Sequence, residues 1–143
     1  MTLQQWSRSS LPPPAELATI IMEPAIIAEP GEGYLAAIRK LATRHGTVLI
    51  FDERITGFPW NLRGAQAYFD VAPDLAMFGK ALANGLSVAV LLGRRDIMRV
   101  GSTVPGQAKM YFLSSTHGGE THGLAAAMTT SHELEQRRVN AHI

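Results

Sequence analysis

Thr47-Val-Leu-Ile-Phe-Asp52 is the stretch on which the fold turns. It is β-branched and apolar until it closes on a carboxylate, and a run of that kind suits a strand covered on both faces, as in a parallel sheet. Just upstream, residues 34–45 place Leu35, Ile38, Leu41 and Ala42 at helical spacing, with Arg39, Lys40 and Arg44 off the stripe and Gly46 positioned to close the helix. Before that, Leu17-Ala-Thr-Ile-Ile-Met22 is a short β-branched run halted by Glu23-Pro24, and it reads as a buried strand. Strand, helix and strand in this order form a βαβ unit.

Downstream the rhythm continues. A short helix is predicted over 65–69, a turn over 71–74, strands over 75–78 and 87–92, a short helix over 95–100, a polar loop over 101–109 and a long helix over 121–138. Such alternation argues for an open α/β sheet. Ligands of these sheets bind beyond the carboxyl ends of the strands, so polar residues that follow apolar strands carry the interest.

Composition sets outer limits. Lys+Arg 13 nearly balances Asp+Glu 12, which gives no electrostatic reason to expect nucleic acid or an anionic membrane. The absence of cysteine excludes a disulfide scaffold, a Cys-ligated metal centre and a thiol nucleophile, and fits a reducing, cytoplasmic setting. No run of 18 apolar residues occurs. The 143 residues are enough for one domain. Residues 1–16, with Leu11-Pro-Pro-Pro14, read as a leader or linker, and the helical pattern near the end of the chain meets no Gly or Pro stop.

Two strand ends carry candidate chemistry. Asp52 and Glu53 close the most apolar strand, either as acids that cap a turn or meet an arginine, or as ligands of a metal or a cofactor. Lys80 follows Leu75-Ala-Met-Phe-Gly79 and, of the three lysines, is the one flanked by apolar residues on both sides, namely Phe78, Ala81 and Leu82. An apolar setting favours the neutral amine that Schiff-base chemistry needs, although a snorkelling lysine fits the same pattern. A third candidate is Ser114-Ser-Thr-His-Gly-Gly-Glu-Thr-His-Gly123, whose hydroxyls and glycines before a helix suit a phosphate cradle. Zinc on His117, Glu120 and His122 is disfavoured, because the spacing matches neither zinc motif and Gly118-Gly119 resists the helix those motifs require. Gly79-Lys80 is not a P-loop, and no G-x-G-x-x-G is present.

Met22-Glu-Pro24, Leu49-Ile-Phe-Asp-Glu-Arg-Ile-Thr-Gly-Phe58, Pro73-Asp-Leu75, Phe78-Gly-Lys-Ala-Leu-Ala-Asn-Gly85 and Ser115-Thr-His-Gly-Gly-Glu-Thr121 occur in that order. With these segments the sequence resembles class III pyridoxal-phosphate aminotransferases, on the branch that includes glutamate-1-semialdehyde 2,1-aminomutase, over about residues 17–138. The resemblance implies a partial large domain of the fold type I transferases, an open and mostly parallel sheet with flanking helices, in which 17–143 form the central-to-C-terminal part. It implies pyridoxal 5'-phosphate as cofactor, an amino donor and a keto or aldehyde acceptor as substrates, and either amine transfer or an intramolecular amine shift. Asp52 looks like the aspartate that pairs with the ring nitrogen, and Lys80 like the lysine that holds the cofactor and moves the substrate proton. Thr116, with Ser115 beside it, looks like the phosphate ligand that serves the neighbouring subunit of a homodimer. Glu53, Thr56 and Gly57 match the same motif as Asp52. Arg54 stands where the family usually has Val or Ile against the ring; as a cofactor-binding residue its guanidinium could stack on the ring face, but it would also place a positive charge beside the pyridinium. Pro59-Trp60 stands in place of the arginine that often follows Thr-Gly-Phe. The family's upstream phosphate loop and stacking aromatic, and its downstream small domain, have no counterpart here. The expectation is therefore a fragment of a longer enzyme, or a remnant of the fold without a complete cofactor site.

Overall fold

The computed structural model describes residues 17–101 and 117–139. Four strands, β1 (Thr19–Met22), β2 (Val48–Asp52), β3 (Leu75–Phe78) and β4 (Val90–Gly93), lie side by side in that order. The first three are parallel, with Met22 opposite Phe51 and Asp52 opposite Met77. The last is antiparallel to β3. Helix α1 (Tyr34–His45) makes the crossover from β1 to β2 and ends on Gly46, whose left-handed backbone (φ 65°) lets its N–H reach the carbonyls of Ala42 and Thr43. Short helices α2 (Gly57–Trp60) and α3 (Ala65–Tyr68) link β2 to β3. Helix α4 (Arg95–Met98) follows β4, and α5 (Thr121–Gln136) closes the described chain.

The core has two clusters. Leu35, Ile38 and Ala42 of α1 pack on Leu49 and Phe51 of β2 and on Val71. Ala76, Phe78 and Leu82 form the second, joined by Val88, Val90 and Ala127. Glycine is required where α5 meets the chain before β4, because a Cβ on Gly123 would stand 2.7 Å from Val88.

Several expectations change. The strand predicted as buried, β1, is a half-exposed edge of the described sheet, with Ile21 59% exposed. In β2, Leu49 and Phe51 are fully buried while Val48, Ile50 and Asp52 are only partly covered, so one face is sealed rather than both. An apolar run records that a strand is shielded, not how many layers shield it. Leu41 falls on the margin of the α1 stripe at 100° per residue and is exposed. The strand expected over 87–92 starts at Val90, because Val88 N–H donates to the Leu86 carbonyl and spends those residues on a turn.

Candidate active site

Asp52 is the last residue of β2, and Glu53 N–H continues the pairing by donating to the Met77 carbonyl at 2.8 Å. Lys80 lies three residues beyond Met77 on the adjacent strand, so both reach the same carboxyl edge of the sheet. There the Asp52 carboxyl is held below its ordinary range, first by side-chain hydrogen bonds from Arg54, which outweigh the opposing effect of burial, and further by the Arg54 N–H and the charges of Arg54 and Lys80. The site therefore presents a carboxylate held towards its ionised form, with Lys80 in electrostatic reach.

Lys80 has a left-handed backbone (φ 47°), a conformation that non-glycine residues seldom adopt, at the start of a 3-10 turn closed by Leu82 N–H donating to the Gly79 carbonyl at 3.0 Å. Strain of this kind turns the lysine out of the line of its strand. The apolar surroundings expected for its amine are not formed by its sequence neighbours. Phe78 and Leu82 enter the core, whereas Lys80 and Ala81 are exposed. Successive residues diverge at a strand end, so apolar flanks in sequence need not shield a side chain in space.

Adjacent carboxylates take different roles. Glu53 is 1% exposed and accepts from Thr56 Oγ1 at 2.7 Å and from the Ala65 and Gln66 N–H groups at 2.8 Å each. It thereby anchors the start of α3, which answers the two readings of Glu53 in favour of the turn-capping one. Gly64 lies so close to this carboxylate that a Cβ there would stand 2.6 Å from Oε1. Arg54, by contrast, is exposed and wraps Asp52, with Nε 2.8 Å from Oδ1 and Nη2 2.5 Å from Oδ2. Its Cγ lies over Gly79, where a Cβ would meet it at ordinary contact distance, 3.5 Å.

At the opposite end of β3, Asp74 was legible only as part of a turn. The structure buries it as a tie between elements: Leu49 N–H and Arg39 Nη1 both donate to Oδ2, and Arg94 Nη1 donates to Oδ1, each at 2.8 Å. Burial pushes the carboxyl up, but these donors together pull it below its ordinary value.

Ser115 and Thr116 lie outside the described residues, as do residues 1–16 and 102–109. Within the proposed phosphate cradle, His117 and His122 both turn towards Glu120, at 3.2 and 3.4 Å from Oε2. His117 to Glu120 also share a hollow with Ser87 to Val90.

Comparison with known proteins places this arrangement. The chain is 42% identical over 130 residues to 3-aminobutyryl-CoA aminotransferase of Cloacimonas acidaminovorans, which is 87% of this chain and 30% of that protein. It is 40% identical over 125 residues to glutamate-1-semialdehyde 2,1-aminomutase 2 of Lachnoclostridium phytofermentans, covering 85% and 28% respectively. The chain thus spans about three-tenths of the length of the curated relatives it matches. Among solved structures, a Bacillus anthracis aminotransferase superposes with a TM-score of 0.75 at 26% identity, over 86% of this chain and 28% of that one. An omega-transaminase from Sphaerobacter thermophilus gives 0.74 at 24% identity, over 81% and 27%. The sheet is accordingly part of the fold type I architecture of pyridoxal-phosphate transaminases. The aminotransferase class-III model matches residues 11–143, and the chain belongs to the class-III aminotransferases.

Proposed function

We propose that the protein to which this chain belongs transfers amino groups between an amino donor and a keto or aldehyde acceptor with pyridoxal 5'-phosphate, held covalently through Lys80. One observation carries the reading: Asp52 and Lys80 stand at the carboxyl ends of adjacent parallel strands, with the carboxylate kept ionised. The donor set suits the cofactor, because a cationic ring nitrogen needs an acceptor-only carboxylate and an aldehyde needs an accessible primary amine. Bound there, the cofactor supplies an electron-withdrawing ring that makes the substrate Cα acidic.

The chain's own residues do the rest. Asp52 accepts the proton-bearing ring nitrogen and holds it charged. Once the substrate amine has displaced it from the cofactor, Lys80 Nζ would take the substrate Cα proton as a general base and, as a general acid, deliver it to the cofactor carbon C4′. Thr116, with Ser115, is assigned to the phosphate, in a homodimer to that of the neighbouring subunit. The similarity to an aminomutase supports a second reading, an intramolecular amine shift, since proton movement on Lys80 serves both reactions.

Titration of the chain with pyridoxal phosphate, followed by visible absorbance, tests the reading. The wild type is expected to develop a band displaced from that of free cofactor, and Lys80→Ala is expected to lose it. If the wild type shows no such band, the isolated chain is not a working enzyme.

A further inference from the structure

Arg54 occupies the Asp52 carboxylate that the ring nitrogen would need. A carboxylate offers about four lone-pair sites, and three N–H groups of Arg54 lie on both of its oxygens: the backbone N–H on Oδ1 at 3.2 Å, Nε shared between Oδ1 at 2.8 Å and Oδ2 at 3.1 Å, and Nη2 on Oδ2 at 2.5 Å. The group assigned to the cofactor is thus occupied by the residue that departs from the family pattern.

Arg54 has an alternative partner. Glu23 directly follows β1, as Asp52 directly follows Phe51, and Met22 is paired with Phe51, so the two carboxylates neighbour each other on the same sheet edge. Glu23 Oε2 is buried and has no hydrogen-bond partner among the described residues. An acceptor in that state carries its desolvation cost without compensation, and a guanidinium is the donor that would relieve it. Glu23 already contributes to the electrostatic stabilisation of the Arg54 cation. The arginine side chain is 54% exposed, and its ion pair is with Asp52.

We propose that Arg54 is a partner-exchanging positioning residue: it closes the ring-nitrogen subsite by occupying Asp52, and swings to Glu23 when a ring occupies that subsite. The inference rests on the assignment of Asp52 to the ring. It gives the Val/Ile-to-Arg departure a role, with the guanidinium moved off the pyridinium proton's acceptor and neutralised by a second carboxylate.

The exchange is readable without cofactor. In Asp52→Asn the preferred partner is weakened, so Arg54 should settle on Glu23 and its Nε–H should remain protected against solvent hydrogen exchange, as measured by NMR of the side-chain Nε–H signal. Adding Glu23→Gln to that variant should speed the exchange about tenfold, the loss of one charge-assisted hydrogen bond. Equally fast exchange in Asp52→Asn and in the double variant overturns the proposal. With cofactor, Glu23→Gln should weaken pyridoxal phosphate binding about tenfold when Arg54 is present and leave it unchanged in an Arg54→Val background, a coupling that independent sites would not show. Equal weakening in both backgrounds also overturns it. If no variant binds pyridoxal phosphate, the proposed function falls, while the cofactor-free exchange measurement still decides whether Arg54 has two partners.

Discussion

Asp52 and Glu53 are the same chemistry in consecutive positions, and the strand's two-residue alternation sends them to different environments. Glu53 enters a fully buried nest of three donors. Glu53→Gln keeps the shape but gives up charge-assisted acceptance, and Glu53→Ala leaves buried N–H groups unmatched. Urea unfolding is expected to show a loss of about 1–2 kcal/mol for the first and about 3 kcal/mol for the second. Asp74 gives a pH signature. Its folded carboxyl titrates below the ordinary value, so it contributes stability above about pH 4 that is lost as pH falls through the lower, folded value. Stability should therefore be level from pH 7 to 5 and decline in acid, and Asp74→Asn should flatten that decline. An acid limb unchanged in Asp74→Asn would show that other carboxylates govern it. The sequence identified Asp52 and Lys80 from their places after apolar strands. It could not separate Glu53 from Asp52, since which of two adjacent acids is buried depends on the backbone that later folds over it.

At the scale of elements, the close approaches explain where glycine is needed. Gly64 has φ 87° and lies against Glu53, so Gly64→Ala combines backbone strain with a clash at the nest that starts α3. A loss of about 2–3 kcal/mol is expected in denaturant unfolding. Gly93 ends β4 where a Cβ would stand 2.3 Å from the Asp74 carbonyl, so Gly93→Ala should disturb the β3–β4 pairing. Amide hydrogen exchange should then rise along Leu91 and Leu92 while α1 stays protected, and uniform change across the sheet would count against a local effect. Helix α1 was readable almost to the residue because stripe, polar face and closing glycine agree. The antiparallel direction of β4 was not, because strand direction is set by the path of the connection and leaves no mark in a four-residue apolar run.

For the molecule as a whole, apolar side chains remain uncovered on several elements. Ile26 is 68% exposed, Ile27 96%, Leu92 55% and Met128 75%. Each leaves apolar side-chain area in water, which burial against an apolar partner would relieve. The chain in isolation is expected to bind a hydrophobic dye such as ANS and to self-associate with rising concentration in sedimentation velocity, and a single 15.5 kDa species at all concentrations would contradict this. No helix among the described residues is long and apolar enough to cross a membrane.

The sequence by itself determined the βαβ order, the family motifs and the two strand-end residues, because periodicity and residue type act locally along the chain. Tertiary structure alone decided which face of β2 is sealed, that Glu53 and Asp74 are buried ties, and that Glu23 Oε2 has no hydrogen-bond partner among the described residues. The two ties depend on hydrogen bonds between residues far apart in sequence, up to 35 positions for Arg39 and Asp74, and no local pattern encodes a partner at that separation.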